Sequence, residues 1–186
     1  FLKSEDQHAV PADDMHARGG EWRVENPRVS WEILDAFQEA AAQAGLPKTT
    51  DFNRGDNEGC GYFHVNQKRG VRVNTSRAFL KSAAKRASLR ILTRAHATRI
   101  DVEEGRAVGL FFDVNGEPCH AAANAEVILA AGSVASPQLL QLSGIGPGAV
   151  LQSHGIESRH DVPGVGENLQ DHLQVYFQFH CRQPIT

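Results

Sequence analysis

Apolar residues recur every three or four positions in two parts of the chain, and this spacing predicts two helices. The first begins after Ser30, which we interpret as its N-cap, and ends at Gly45. The second spans 74–87 and carries basic side chains on its outer side, which are typical of a solvated face rather than of a phosphate site. Apolar runs that contain branched side chains instead predict strands, at 59–65, 89–93, 100–102, 107–114, 126–131 and 175–181.

The junction between the strand at 126–131 and the helix that follows it is the most informative stretch. Its continuous apolar run is typical of a central strand covered on both faces. Gly132 allows a sharp turn, Ser136 and Pro137 resemble an N-cap and a first helical residue, and Gly144 ends the helix. A strand, a glycine turn and a helix N-terminus in this order present amide donors to an anion or a polar cofactor. An ordinary packing turn is the alternative, and these residues alone favour neither.

Composition and charge exclude several classes of function. A net charge of -3 gives no indication of a nucleic-acid partner, and no apolar run approaches the roughly 20 residues that span a bilayer. The 3 cysteines lie far apart in sequence, so reduced thiols are favoured over a disulfide, and a cytoplasmic protein is weakly favoured. None of the 9 histidines has the spacing of metal ligands, so we expect no metal site.

Residues 132–146 fill every fixed position of a known signature: Gly-Ser, two residues, Ser-Pro, two residues, two aliphatics, two residues, then Ser-Gly-aliphatic-Gly. This is the second signature of the glucose-methanol-choline (GMC) family of flavin-dependent oxidoreductases, which the chain resembles. The segment 163–172 is similar to the one that follows the signature in that family. Further upstream, 51–53, 58–63 and 72–80 also resemble family segments, in the same order. Several matches in order indicate a resemblance over nearly the whole chain.

The resemblance implies a mixed α/β (α+β) fold. It joins part of an FAD-binding Rossmann-like domain to part of a substrate domain with an antiparallel sheet. We expect a substrate-domain portion with connecting loops at 1–75 and the later half of the FAD-binding domain at 76–172. The start of the substrate-domain sheet is expected at 173–186.

The resemblance also implies FAD as the cofactor, held in part by Ala97, Ala131, Gly132 and Ser136. Ala97 aligns with a position that contacts the adenine through its backbone, so alanine in place of the valine found in many relatives preserves the contact. Asp171 lies beside His172, and a carboxylate in that position can orient an imidazole for catalysis. In the family, however, this pair is not the catalytic histidine, so a structural role in the loop is favoured. No catalytic residue and no metal ligand is assigned to this chain.

Two features of the family have no counterpart in the sequence. One is the G-x-G-x-x-G turn that holds the FAD diphosphate, and the other is the C-terminal histidine that takes the proton of the alcohol. We therefore expect an internal piece of a larger enzyme, which alone neither binds FAD tightly nor oxidises an alcohol. A cytoplasmic or peripherally membrane-associated location is expected.

The reaction that the resemblance implies is oxidation of an alcohol to an aldehyde or ketone by hydride transfer to the flavin. The expected partners are a small alcohol and an electron acceptor, either a quinone, a dye or oxygen. Residues 61–67 together with Arg72 resemble dehydrogenases of alkanols, aromatic alcohols or polyethers more than the choline branch. Two alternatives stay open: a lyase on the same flavin fold, similar to hydroxynitrile lyases, and a non-catalytic binding remnant of that fold.

Overall fold

The computed structural model describes residues 2–184, which divide into two compact units. Leu92–Tyr176 forms the second unit, and the described residues before and after it form the first. Helices and strands are mixed along the chain, which confirms the predicted fold class. The expected domain boundaries stay a prediction. The expected domains contain Phe1, Ile185 and Thr186, which lie outside the described residues.

The first unit is built from short elements. In chain order they are a 3-10 helix (Leu2–Ser4), β1 (Glu5–Gln7), β2 (Trp22–Val24), α1 (Glu32–Gln43), β3 (Gln67–Lys68), β4 (Val71–Arg72), a π-helix (Ser76–Leu80) and α2 (Lys81–Ala83). β1 and β2 pair in parallel, whereas β3 and β4 form an antiparallel hairpin. The strand predicted at 59–65 is absent there, where only isolated bridges at Cys60 and Val65 occur.

α1 confirms the first predicted helix and its end. Gly45 has φ +92°, and the Leu46 N–H donates to the Ala41 carbonyl, which closes the last turn. The prediction of Ser30 as N-cap is wrong, because Trp31 occupies that position in an extended conformation and no side chain caps the helix. Ala41 is the buried residue of α1, while the larger apolar side chain of Phe37 is exposed.

The second predicted helix is shorter than expected. It consists of the π-helix and α2 and ends at Ala83, after which the Arg86 N–H donates back to the Ala83 carbonyl in a turn. The strand predicted at 89–93 is also wrong. Arg94 has φ +57°, a left-handed conformation that interrupts an extended run, and the strand begins only after it.

The interior of the first unit is centred on a charged cluster. His16 lies between two carboxylates, with its Nδ1 3.1 Å from Glu5 Oε1 and its Nε2 2.7 Å from Asp51 Oδ2. All three residues are buried, with exposures of 2%, 2% and 5% for Glu5, His16 and Asp51. Burial disfavours the imidazolium, but the hydrogen bonds to Glu5 and Asp51 outweigh it and raise the pKa of His16. Burial also opposes the Asp51 carboxylate, yet its bonds to the Asn53 amide and to His16 lower the pKa of Asp51.

The second unit holds the longer strands. Its elements are β5 (Ala95–Glu103), β6 (Arg106–Val114), β7 (Glu117–Ala122), α3 (Gly132–Leu142), β8 (Ile145–Gly146), α4 (Gly148–Ser153) and β9 (His160–Asp161). β5, β6 and β7 form an antiparallel meander, and β8 pairs with β9 in parallel. The predicted turn at Asn115 and Gly116 is confirmed, because both residues have positive φ, +54° and +86°.

Two further predicted strands are not formed. Residues 126–131 have no strand partner among the described residues, and Ile128 is 80% exposed. A strand exists only where a neighbour accepts its backbone hydrogen bonds, and none of the described strands lies alongside this run. The run at 175–181 also lacks a partner and is not a strand. None of the helices in residues 2–184 has the length and apolar content that a bilayer crossing requires.

We expect the His16 cluster to make stability depend on pH in both directions. Because the pKa of His16 is raised on folding, its contribution is complete below its unfolded pKa of about 6.5 and is lost as the pH rises through the folded value. The lowered pKa of Asp51 adds stability that is lost as the pH falls below about 4. Urea unfolding midpoints measured from pH 3 to pH 9 should therefore show the cluster's largest contribution between about pH 4 and pH 6.5.

The matched variants are His16→Asn, which removes the titrating ring from the cluster, and His172→Asn, which changes an exposed histidine. We expect His16→Asn to cost about 3 kcal/mol at pH 5.5, since it leaves two buried carboxylates without their cation. The fall in stability between pH 6 and pH 9 should be smaller in His16→Asn than in His172→Asn. Equal falls in the two variants would contradict a charged His16.

Candidate functional site

The bend between residue 131 and α3 differs from its prediction in one respect. α3 begins at Gly132 itself, so Ser136 and Pro137 lie inside the helix and not at its start. The interpretation of Ser136 as the N-cap is therefore wrong. Its hydroxyl instead accepts a hydrogen bond from the Ala131 N–H at 3.1 Å, which folds the chain before the glycine back onto the first helical turns.

The N-terminus of α3 is open. No side chain caps it, and both Ala131 and Gly132 are exposed. Gly132 has φ +90°, and no atom lies within 4 Å of the position that a Cβ would take there. The amides of the first helical turn have no partner within the helix and carry its positive dipole end. This bend therefore offers hydrogen-bond donors and free space to an anionic or polar group.

A cleft of about 350 Å³ runs along α3 from Ser133, the residue after Gly132; Ala131, Gly132 and Ser136 do not line it. One wall is a face of α3 formed by Ser133, Pro137 and Gln141, and the facing wall includes Gly166 and Glu167. The sequence interpretation missed these wall residues. Ser133, Pro137 and Gln141 lie four residues apart on α3, and positions four apart share one face of a helix. This spacing is the sequence signal that could have identified that wall.

Gln141 holds the facing wall in place. Its side-chain amide donates to the Val165 carbonyl at 3.1 Å. A Cβ on Gly166, where φ is +89°, would lie 2.8 Å from Gln141 Nε2. The glycine therefore permits the close approach of this segment to α3, which defines the width of the cleft.

The other end of α3 is fastened to β5 by one hydroxyl. Ser143 Oγ accepts from the Ile100 N–H at 2.8 Å and donates to the Leu139 carbonyl at 2.6 Å. All three residues are buried, and Ser143 is only 2% exposed. The predicted helix end is confirmed beside it, since Gly144 has φ +83°. α3 is thus held at its C-terminus while its N-terminus stays open.

The structure brings together three of the four residues assigned to the cofactor. Ala131, Gly132 and Ser136 form the bend, whereas Ala97 lies half-buried on β5, opposite Phe112 and next to a shift in strand register. No hydrogen bond among the described residues joins Ala97 to the bend. The role of all four residues in cofactor binding stays a prediction.

The remaining candidates carry little chemistry. Asp171 Oδ1 accepts from the His172 backbone N–H at 2.8 Å, and both residues are exposed. Residues 2–184 contain no group of three or more histidine, cysteine or acidic side chains placed to hold a metal. All three cysteines, Cys60, Cys119 and Cys181, are free thiols.

Comparison with known proteins gives a consistent family assignment. A model of the GMC oxidoreductase family matches residues 7–174. An oxygen-dependent choline dehydrogenase of Vibrio vulnificus is 50% identical over 186 residues, which are 100% of this chain and 32% of that protein. The protein of the same name from Photobacterium profundum is 50% identical over 154 residues, 83% of this chain and 27% of its own length. The chain thus spans less than two thirds of these relatives.

Solved structures agree with the sequence relatives. Pyridoxine 4-oxidase from Mesorbium loti is similar over 87% of this chain and 32% of its own, with a TM-score of 0.79 and 31% identity. An FAD-dependent oxidoreductase from Chaetomium thermophilum matches over 91% of this chain and 32% of its own, with a TM-score of 0.85 and 27% identity. The similarity to choline dehydrogenases corrects the preference for alkanol, aromatic-alcohol or polyether enzymes, which depended on a few residues between 61 and 72.

Gly132→Ala should destabilise the protein by about 1 kcal/mol, because alanine is strained at positive φ even where its methyl group has room. Gly164→Ala is the matched control. That glycine also has free space around it, but its φ lies outside the left-handed region. We expect Gly164→Ala to leave the urea unfolding midpoint unchanged or to raise it. Equal effects of the two substitutions would show that the bend does not require a left-handed residue.

Proposed function

Because the chain belongs to the GMC oxidoreductase family, we propose that it forms part of an FAD-dependent enzyme that oxidises an alcohol to an aldehyde or ketone. In this proposal the bend at the start of α3 is one part of the FAD site. The observation that carries it is the open helix N-terminus at Gly132, with free space above the glycine and a cleft beside it. These features fit a nucleotide, whose phosphates and polar edges need backbone donors.

Each residue of the bend has a separate task. Gly132 keeps the approach to the helix amides free of a side chain. Ser136 orients the peptide before the turn by accepting from the Ala131 N–H, and its own hydroxyl hydrogen stays available to a ligand. Ala97 is proposed to contact the cofactor through backbone atoms of β5. FAD, when bound, supplies the hydride acceptor for the reaction.

The substrate is proposed from the relatives. Proteins named oxygen-dependent choline dehydrogenase are 50% identical to this chain, so choline is the first alcohol to assay. Their name also makes oxygen the first electron acceptor to test, before a quinone or a dye. We assign no catalytic residue within the chain, and no nucleic-acid or metal partner is proposed. A cytoplasmic or peripheral membrane location is retained as part of the proposal.

The lyase and the non-catalytic remnant are less well supported, since the relatives and the matching structures carry the names of dehydrogenases, oxidases and oxidoreductases. Alcohol-dependent reduction of a dye by the longest protein that the gene encodes would separate oxidation from both alternatives.

A substitution that introduces a carboxylate at the start of α3 tests cofactor binding separately from the stability of the protein. Ser133 is exposed, lies in the first turn of α3 and lines the cleft. Ser133→Asp should stabilise the helix through its dipole but repel the diphosphate of FAD. We expect flavin affinity to fall at least about tenfold, a cost of about 1.4 kcal/mol, while the melting temperature of the flavin-free protein is unchanged or raised.

Ser133→Asn is the neutral control of nearly the same size, and it should retain most of the flavin. Binding is measured as quenching of flavin fluorescence, in the longest protein that the gene encodes, and turnover is measured separately with choline. If Ser133→Asp and Ser133→Asn bind flavin equally well, the bend is not part of the FAD site.

A further inference from the structure

The basic residues of the chain are concentrated in one segment. Residues 59–100 contain 10 lysine and arginine residues and no aspartate or glutamate, although the whole chain carries a net charge of -3. Like charges that lie close together repel each other, which destabilises a fold unless anions neutralise them. A basic segment in an acidic chain is therefore a place to look for a bound anion.

Four of these basic side chains line one groove of the first unit. The groove has a volume of about 930 Å³. The β3–β4 hairpin contributes Lys68 and Arg69 to it, and the π-helix and α2 contribute Arg77 and Lys81. The sequence alone favoured a solvated face for the helical pair. The spacing along the helix could not show that two cations of the hairpin line the same groove.

The four cations of the groove have no negative partner. None of their side chains forms an ion pair or a hydrogen bond with another of residues 2–184. A fifth cation of the wall, Arg23, is already neutralised, since it lies 3.0 Å from Asp6 Oδ2 and 2.7 Å from Glu25 Oε1. Glu21 is the other carboxylate that lines the groove, one negative charge beside four free positive ones. The groove therefore carries an unbalanced positive charge.

Both walls of the groove are attached to β2. The Trp22 ring stacks on Phe79 of the π-helix, with 5.6 Å between the centroids. At the base of the hairpin, the Asn66 side-chain amide donates to the Arg23 carbonyl at 3.2 Å. Ala78, a buried residue of the π-helix, also lines the groove. The backbone of both walls is thus held without a ligand, so binding does not have to order it.

The size and charge of the groove together indicate the class of ligand. Its volume lies near the upper end of the range of about 300 to 1,000 Å³ for small-molecule sites, so one phosphate ion would leave most of it empty. Several phosphate groups in one chain offer a negative charge to the cations of both walls. Arginine presents paired N–H donors to phosphate oxygens, and lysine adds a mobile point charge. A ligand with a single carboxylate would leave most of the positive charge unneutralised.

We propose that this groove binds a polyphosphate chain, either that of a nucleotide or an inorganic one, between the hairpin cations Lys68 and Arg69 and the helical cations Arg77 and Lys81. The site lies in the first unit and uses none of the residues assigned to FAD. Its occupation requires no turnover.

Probes that differ in charge test the proposal: inorganic phosphate, diphosphate, triphosphate and ATP. Dissociation constants are measured by titration calorimetry on the longest protein that the gene encodes, with saturating FAD and without divalent cations. Affinity should rise from phosphate to triphosphate and should fall when NaCl is raised from about 50 to about 300 mM, because salt screens exposed charges. Tighter binding of ATP than of triphosphate would identify a nucleotide as the ligand, and equal or weaker binding would identify an inorganic chain.

Arg77→Gln and Arg90→Gln are the matched pair of variants. Each removes one exposed guanidinium from the basic segment, but only Arg77 lines the groove. Arg77→Gln should weaken triphosphate binding about tenfold, since a hydrogen bond between charged groups is lost. Arg90→Gln should weaken it less than about twofold, because its charge acts only at a distance. Equal effects of the two substitutions would show diffuse attraction to the basic segment and would overturn the proposal.

Arg69→Asn removes a charge from the groove without harm to the fold. Arg69 has φ +53° in the hairpin turn, where asparagine is preferred. Its melting temperature should therefore be unchanged or raised, while triphosphate affinity falls about tenfold. Unchanged affinity in this variant would contradict the site, as would equal binding of phosphate and triphosphate or no binding of any probe. The comparison of Arg77→Gln with Arg90→Gln is equally informative without FAD, so the proposed function is judged separately.

Discussion

The second unit depends on the buried hydroxyl of Ser143. It joins the Ile100 amide of β5 to the last turn of α3, at a place where water is excluded and a lost hydrogen bond is expensive. This contact fastens the C-terminal end of α3 to the meander. The helix can therefore leave its first turn uncapped and exposed, because its position does not depend on contacts made there. The proposed cofactor bend is free for a ligand for that reason.

The first unit is organised around charge instead. Its buried residues are fewer and smaller than those of an ordinary core, and Glu5, His16 and Asp51 occupy its interior. Each carboxylate is matched by one imidazole nitrogen, which makes the burial tolerable, but the match holds only while the ring is charged. Glu5 and His16 of this cluster also line a cavity of about 310 Å³ beside β1 and β2.

Local chemistry accounts for the features that were correctly predicted. The end of α1 at Gly45, the end of α3 at Gly144 and the turn at Asn115 and Gly116 all depend on positive φ, which few residues adopt easily. The errors have a common origin as well. Ser30 and Ser136 resemble N-caps, but the start of a helix is decided by where its first turn packs. The apolar run at 89–93 resembles a strand, but the left-handed Arg94 separates it from β5.

The sequence by itself determined the family, the mixed fold and the position of the glycine bend, because these depend on residue types at fixed spacing along one chain. Only the tertiary structure decided that residues 126–131 stay unpaired, since a strand needs a neighbour that its own sequence does not specify. It alone revealed the Glu5–His16–Asp51 cluster and the buried ring nitrogens of His64, which have no hydrogen-bond partner among the described residues. Those residues are far apart along the chain, and both burial and hydrogen bonding arise only when folding brings them together.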